Sequence, residues 1–190
     1  SGIIVHSLFC EILNSSPYLL SSNQNFVKKI VFPLEILPVV KFNASLFNSI
    51  ISIFILLIGC FISSGNLNWK VAFFPITLFP IIPLTIGTGW LFSSLGVYIK
   101  DIGQFTGILT TLLMFLCPIF YPLSAVPIFW QKFMYINPLT LIVQEFRSVI
   151  IYSNFPNFKY LALHFLISLF YSIICFSWFQ KSRKGFPDTL

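Results

Sequence analysis

Charged residues are scarce in this chain. Among its 190 residues are 11 lysines and arginines and 5 aspartates and glutamates, and its mean hydropathy is +0.91. A soluble domain of this size needs more polar surface than that to stay dissolved. The net charge of +6 does not indicate a nucleic-acid-binding protein, because the basic residues lie in short loops rather than along one stripe interleaved with aromatic residues. The composition predicts a membrane protein.

The groups that catalysis or metal binding would need are also sparse. The 4 cysteines stand alone, with no CxxC pair, and the 2 histidines, His6 and His164, lie far apart in the sequence. The acidic residues are scattered, so no acid and base pair presents itself. There is no G-x-x-x-x-G-K-S/T motif, and Gly87-Thr88-Gly89 lies inside an apolar stretch rather than after a strand. We therefore expect no enzyme, no metal and no cofactor in this chain.

What the sequence does contain is long uncharged runs. Residues 42–69, 71–99, 102–131 and 160–180 form runs of 28, 29, 30 and 21 residues without a charge. About 20 apolar residues in a helix cross the hydrocarbon core of a bilayer. Barrel strands would alternate apolar and polar residues, and these runs do not. The sequence predicts an all-α, polytopic transmembrane bundle in a single domain over 1–190. Its predicted spanning helices are 42–64, 71–98, 103–121 and 160–180.

The first residues, 1–13, form an apolar segment that is too short to span a membrane and lacks the features of a signal peptide. We interpret it as a partial helix, the remaining half of a spanning one, so that the chain holds about five spanning helices of a longer protein. Counting alternate loops, seven lysines and arginines lie on one side and four on the other. The positive-inside rule then makes residues 14–41, the turn Lys100-Asp101 and the C-terminus cytoplasmic.

Two connecting segments are unusual. Residues 25–38 mix basic, apolar and proline residues, which indicates a short interfacial helix; the alternative is a basic membrane-surface anchor. On the other side, Pro118, Pro122 and Pro127 must interrupt helical hydrogen bonding. Irregular backbone at membrane depth is tolerated only inside protein or beside a water-filled cavity. We therefore predict broken or re-entrant helices near the external face, with residues 122–158 as an external gate region.

Five stretches in order along the chain resemble one family, the membrane permeases of bacterial ABC-2 transporters that export O-antigen and related lipid-linked polysaccharides. That family usually has six spanning helices and an amphipathic N-terminal segment. The resemblance implies that this chain is N-terminally truncated and lacks the first of those helices. The matching stretches are Ser1–Ile4, residues 25–38, Val97–Ile102, Pro118–Pro122 and Ile136–Leu139.

The resemblance also implies a division of labour in the bacterial inner membrane. Two copies of the permease would form a homodimer, and separate cytoplasmic subunits would bind ATP and magnesium and hydrolyse the ATP. The partners of this chain would be that ATP-binding subunit, a second copy of itself, a lipid-linked polysaccharide and membrane lipids, but no nucleic acid. The chain itself would be a transport subunit.

Two sets of residues follow from this resemblance as expected sites. The coupling site, which would receive the push of the ATPase, is Phe32, Pro33, Glu35, Pro38, Lys100 and Asp101. Glu35 is expected to pair with a basic residue of the partner. The alternative for residues 32–38 is a membrane-surface turn without a partner. The alternative for Lys100 and Asp101 is a turn whose two charges pair with each other, with Asp101 capping the helix that begins at Ile102.

The pathway or gate site is expected around the broken external segment, because aromatic faces stack on sugar rings. Most aromatic residues need no such role, since they also fill lipid-facing surface. Glu145 and Arg147 are expected to pair with other groups in a plain interfacial salt bridge, with contacts to glycan hydroxyls as the alternative. Asn137 is expected to cap a helix whose first residue is Pro138. The gate residues are Phe115, Pro118, Phe120, Tyr121, Pro122 and Arg147.

Other functions are kept open at this point. One is a membrane-embedded glycan-processing enzyme, a glycosyltransferase or ligase, which should show acidic residues at a membrane face. Another is an ABC-2 permease for teichoic acid, capsule or drugs, which composition does not distinguish from an O-antigen permease. A third is a membrane scaffold, which would require neither the broken segment nor the proline-bounded loop.

Overall fold

A computed structural model describes residues 1–24, 33–65, 68–121 and 123–186. Within these ranges the chain forms helices and turns and no strand. Three helical segments there are long and apolar enough to cross a membrane, namely Ile36–Ser63, Trp69–Tyr98 and Phe158–Gly185. The prediction of a helical transmembrane bundle is confirmed. The α-helices are α1 (Gly2–Leu19), α2 (Ile36–Ser64), α3 (Phe74–Leu78), α4 (Ile81–Tyr98), α5 (Ile102–Leu116), α6 (Ile128–Met134), α7 (Pro138–Ile150) and α8 (Phe158–Ser182).

Helix α1 is the centre of the bundle and packs against α2, α4, α5 and α7. Val5, Leu8 and Ile12 are almost completely buried in the main apolar core. The predicted end at residue 13 is wrong, because the helix continues through Pro17 to Leu19 and is followed by a 3₁₀ turn, Ser21–Asn23. At 18 residues it is about 27 Å long. Residues 14–19 therefore belong to this core helix rather than to a loop.

Helix α2 begins six residues before its predicted start. Pro38 lies in its first turn, where the missing N–H of proline costs no helical hydrogen bond. The helix ends at Gly65, whose φ of 70° and N–H bond to the carbonyl of Phe61 (2.9 Å) form a left-handed cap. Large apolar side chains such as Phe54 and Ile62 are exposed along it. In a membrane these side chains face lipid.

The predicted helix 71–98 is interrupted. A 3₁₀ turn, Trp69–Phe73, leads into α3, and the chain bends at Phe79-Pro80 before α4 begins. Proline removes a helical hydrogen bond and collides with the preceding turn, which explains the break. As a result, α3 packs against α7, whereas α4 packs against α8 and α1.

Helix α5 ends at Leu116 rather than at 121, just before Pro118, and its 15 residues rise about 22 Å. Helix α8 extends two residues beyond its predicted bounds at each end. The external region 122–158 holds two helices, α6 and α7. This second helix, α7, has 13 residues, so it is too short to cross a bilayer and fits the prediction of a re-entrant element. The fully buried apolar residues on one face of α7, at helical spacing, are Leu139, Ile142, Val143, Phe146 and Val149.

Candidate functional site

The backbone between α5 and α6 is irregular where the prolines predict a break. The N–H of Cys117 closes α5 on the carbonyl of Leu113 (3.0 Å), and the N–H of Ile119 bonds to the carbonyl of Cys117 (2.7 Å). Cys117, Pro118 and Ile119 are buried although they are not helical. The backbone carbonyls of Pro118 and Ile119 therefore need donors from elsewhere in the fold.

Arg147 of α7 supplies those donors. Its Nη2 lies 2.7 Å from both the carbonyl of Pro118 and the carbonyl of Ile119, and its Nη1 lies 3.3 Å from the carbonyl of Tyr121. The planar fork of a guanidinium suits several acceptors at once. We call Arg147 and residues 117–121 the gate clamp. It joins α7 to the broken segment.

The interfacial salt bridge predicted for Glu145 and Arg147 is not formed by either residue in the described part of the chain. The Oε2 atom of Glu145 accepts the backbone N–H of Asn157 at 2.9 Å, just before α8. Residues two apart on a helix do not face each other, so the two charges point to different neighbours. Neither ion pair among the described residues involves Arg147.

An open cleft of about 310 Å³ adjoins the gate clamp, with Phe120, Tyr121, Arg147 and Tyr152 in its lining. The Tyr121 hydroxyl donates to the carbonyl of Phe115 at 3.0 Å. Burial and the neighbouring Cys117 raise the pKa of the Tyr121 phenol, so the hydroxyl remains a donor at neutral pH. The cleft is thus lined by aromatic faces and one guanidinium, which suits binding better than catalysis. Among the residues that the structure describes, no group of three His, Cys, Asp or Glu side chains could hold a metal.

The gate predictions thus fall in one place, with two qualifications. Pro118, Phe120, Tyr121 and Arg147 lie together, whereas Phe115 contributes its carbonyl and its exposed ring is not part of the cleft lining. Pro122 lies outside the described residues. That this cluster acts as a gate stays a prediction.

Asn137 and Pro138 begin α7 as predicted. The Asn137 side-chain oxygen accepts the N–H of Leu139 at 2.9 Å, and its Nδ2 donates to the carbonyl of Leu113 at 3.1 Å. The first bond is the predicted cap. The second, which sequence does not indicate, ties the start of α7 to the last turn of α5 and so supports the same broken segment.

His164 is a residue whose position sequence reasoning misses. Its Nε2 lies 2.8 Å from the carbonyl of Pro138, so Nε2 must carry the hydrogen, and Nδ1 then accepts the Ser168 hydroxyl at 3.2 Å. The ring lines a partly open cavity of about 370 Å³ between α1, α4, α5 and α8, which Thr88 and Tyr171 also line. The sequence does contain a sign of this position, namely an imidazole inside a spanning helix. Such a group is costly in a membrane unless it has a partner.

The predicted coupling residues lie at the opposite end of the bundle. The Glu35 carboxylate accepts from Nη1 of Arg183 at 3.0 Å, and its backbone carbonyl accepts from the Trp90 indole at 2.9 Å. The expected partner of Glu35 was a basic residue of another protein, but its ion-pair partner here is in the same chain. Pro33 precedes it as an exposed residue, and Pro38 packs beside Gly89 of α4. Phe32 lies outside the described residues.

Lys100 and Asp101 form the exposed turn between α4 and α5. Asp101 occupies the N-cap position of α5, as the alternative expects, and its backbone carbonyl accepts the N–H of Gln104, but its side chain makes no cap bond. Two residues before Lys100, the Tyr98 hydroxyl donates to the carbonyl of Ser182 at 2.8 Å, next to Arg183. The turn and Glu35 are therefore connected through the end of α8, and we call Glu35, Arg183 and this turn the coupling end.

Comparison with known proteins gives two findings. Residues 1–151 match the family model described as "ABC-2 type transporter". Two proteins named "O-antigen export system permease protein RfbA" from Klebsiella pneumoniae are each 24% identical to this chain over 196 residues, a match that covers 100% of this chain and 73% of each relative. A protein of the same name from Myxococcus xanthus is 19% identical over 191 residues, and the match covers 100% of this chain and 74% of that relative.

Proposed function

This chain belongs to the ABC-2 type transporter family, and on that basis we propose that it is the permease that moves a lipid-linked polysaccharide such as O-antigen across the bacterial inner membrane. The observation that carries the proposal is the similarity over the whole chain to three permeases named for O-antigen export. Membership of the family makes the chain a membrane transport subunit rather than an enzyme, and it implies a cytoplasmic ATP-binding partner. The glycan-processing alternative is not favoured.

The ATP-binding partner is proposed to act on the coupling end. Pro33 and Glu35 lead directly into α2, so a force on them acts along a helix of 29 residues. Glu35 is also bonded to α4 through Trp90 and to the end of α8 through Arg183. A push at this point would therefore reach three long helices. The exposed turn Lys100-Asp101 would form the second contact, with ATP and magnesium held by the partner.

The substrate is proposed to pass near the gate clamp. Phe120, Tyr121 and Tyr152 line an open cleft in which aromatic faces could stack on sugar rings. Arg147 is occupied by three backbone carbonyls, so its part would be to hold the shape of the opening rather than to grip a sugar. A second copy of the permease would complete the pathway around this cleft.

A coupled export assay tests the proposal. The full-length permease and its ATPase would be produced in cells that make the glycan but lack their own permease, and surface glycan would be detected with an antibody. We expect wild type to restore surface glycan, and Glu35→Lys and Pro33→Ala to reduce both glycan export and co-purification of the ATPase. Lys184→Gln is a matched control, because Lys184 is an exposed basic residue at the same end of the bundle.

Two results would contradict the proposal. If no ATPase co-purifies with the wild-type permease, the assignment to an ABC exporter fails. If surface glycan is unchanged but the lipid-linked glycan has a different composition, the chain modifies the glycan instead of exporting it.

A further inference from the structure

An apolar furrow runs along the outer surface of the bundle between α3, α4 and α8. It lies apart from the gate clamp, and Trp90, which is bonded to Glu35, lines its far end. Its first part has a volume of about 490 Å³. A second part of about 300 Å³ continues it along α4 and α8 to Ser172 and shares Phe79 and Phe165 with the first. We call the two parts together the lipid furrow. The first part lies between α3 and the start of α8, and its lining includes Pro75, Ile76, Phe79, Leu161, Ala162 and Phe165.

The furrow exists because of the break at Phe79-Pro80. Beyond this break α4 packs closely on α8, and a Cβ added at Gly87 would lie 2.9 Å from the Cα of Ser172. Before it, α3 turns away to pack against α7. The gap left beside α8 is thus open at its start and closed where Gly87 meets Ser172.

The shape of the furrow suits a hydrocarbon chain. From Phe158 to Ser172 the furrow follows 15 residues of α8, whose Cα atoms span about 21 Å at the rise of an α-helix. Half of the hydrocarbon core of a bilayer is about 15 Å thick. A groove that begins at the membrane interface and extends this far matches one extended acyl chain in length.

The open end of the furrow carries interfacial and basic groups. Phe158 lines the furrow and meets Phe73 at 6.3 Å between ring centroids, and Phe73 meets Phe155 at 5.8 Å. The ammonium of Lys70 lies 4.7 Å from the centre of the Phe155 ring. Aromatic residues of this kind mark the level of lipid headgroups.

The charge balance at this end favours an anionic headgroup. Lys159, which is exposed, follows Phe158 directly, so two lysines lie near the mouth of the furrow. The acidic group beside them is Glu145, whose Oε2 is bonded to the N–H of Asn157 at 2.9 Å. Two positive charges against one negative charge attract a phosphate more than they attract a neutral headgroup.

We infer that the furrow binds an anionic glycerophospholipid, with one acyl chain between Phe79 and Ala162 and its headgroup at Lys70 and Lys159. This inference does not depend on which substrate is exported. It concerns a resident lipid of the bilayer rather than the transported glycolipid.

Native mass spectrometry of the full-length, delipidated permease in detergent tests the inference, with phosphatidylglycerol titrated against phosphatidylcholine of the same acyl chains. We expect wild type to bind phosphatidylglycerol about tenfold more tightly or better. Each lysine near a membrane surface contributes roughly fivefold in affinity, so Lys70→Gln with Lys159→Gln should weaken phosphatidylglycerol binding by roughly 30-fold. Neither lysine is buried, so the two changes leave the fold intact.

A second pair of variants tests the furrow itself. Ala162→Trp places an indole inside it and should abolish retention of the lipid. Leu163→Trp is the matched control, because Leu163 is on the same helix, 57% exposed, and outside the furrow lining. Equal binding of the two lipids, equal effects of the two tryptophans, or preferential retention of a polyprenyl phosphate would each overturn the inference.

Discussion

The two ends of the bundle use arginine in different ways. At the gate clamp, Arg147 donates to three backbone carbonyls and has no carboxylate partner among the described residues. At the coupling end, Arg183 forms an ion pair with Glu35 at the surface. A guanidinium bound to buried carbonyls fixes irregular backbone, because those acceptors have no other donor. A surface ion pair contributes little stability and separates easily. The comparison indicates that the backbone at the gate clamp is held rigidly, whereas the ion pair at the coupling end can change partners.

The largest expected effect comes from breaking the gate clamp. Arg147→Met should lower the free energy of unfolding by about 3 kcal/mol, because it leaves buried carbonyls at Pro118 and Ile119 without donors. Thermal unfolding of the purified permease in detergent measures this change. The free energy of unfolding of Arg147→Lys should lie between those of wild type and Arg147→Met, because an ammonium replaces only part of the planar fork. A loss for Arg147→Met of under about 0.5 kcal/mol would mean that the clamp does not hold the segment.

A smaller effect is expected from the packing near the coupling end. A Cβ at Gly96 of α4 would lie 2.6 Å from the Cα of Pro17 in α1, so Gly96→Ala should destabilise the protein by about 2 kcal/mol. The matched control is Gly107→Ala in α5, where nothing lies within 4 Å of an added Cβ. That change should stabilise by up to about 1 kcal/mol, since alanine favours helix over glycine. Melting curves of the two variants that shift in the same direction would contradict the close contact between α1 and α4.

The smallest effect is expected from the surface ion pair. Glu35→Gln and Arg183→Gln should each change the free energy of unfolding by less than about 1 kcal/mol. The double variant should show a coupling energy that disappears at high salt, because exposed charges are screened. A double-mutant cycle at low and high salt measures this coupling. If it persists in high salt and exceeds about 2 kcal/mol, the pair is a fixed structural bond and the contrast between the two ends fails.

The helices and the positions of some breaks could be predicted from the sequence because both depend on local chemistry. Uncharged runs mark α2, α4 and α8, Pro118 marks the end of α5, and Asn137 is the cap that its position predicts. The same local reasoning misses the bend at Pro80, since three prolines lie within residues 75–83 and the packing of α3 against α7 decides which one ends the helix.

Side-chain partners are harder to predict than helices. The sequence predicts a salt bridge for Glu145 and Arg147, but their partners are backbone groups at the start of α8 and in residues 117–121. Family resemblance gives Glu35 a partner in another protein, although Arg183 lies 148 positions away in the same chain. Such contacts depend on how the helices are arranged in space, and that arrangement is set by close approaches such as Gly87 to Ser172.

The hydrogen bond from the Trp90 indole to the Glu35 carbonyl has a spectroscopic consequence. Indole emission is sensitive to its surroundings, so loss of this 2.9 Å bond would register as a change in fluorescence. The chain has 4 tryptophans, so the other three must be replaced before the emission can be assigned to Trp90. A permease that keeps Trp90 alone would therefore carry its own optical sensor, able to follow the coupling end in real time during each cycle of ATP hydrolysis without an added label.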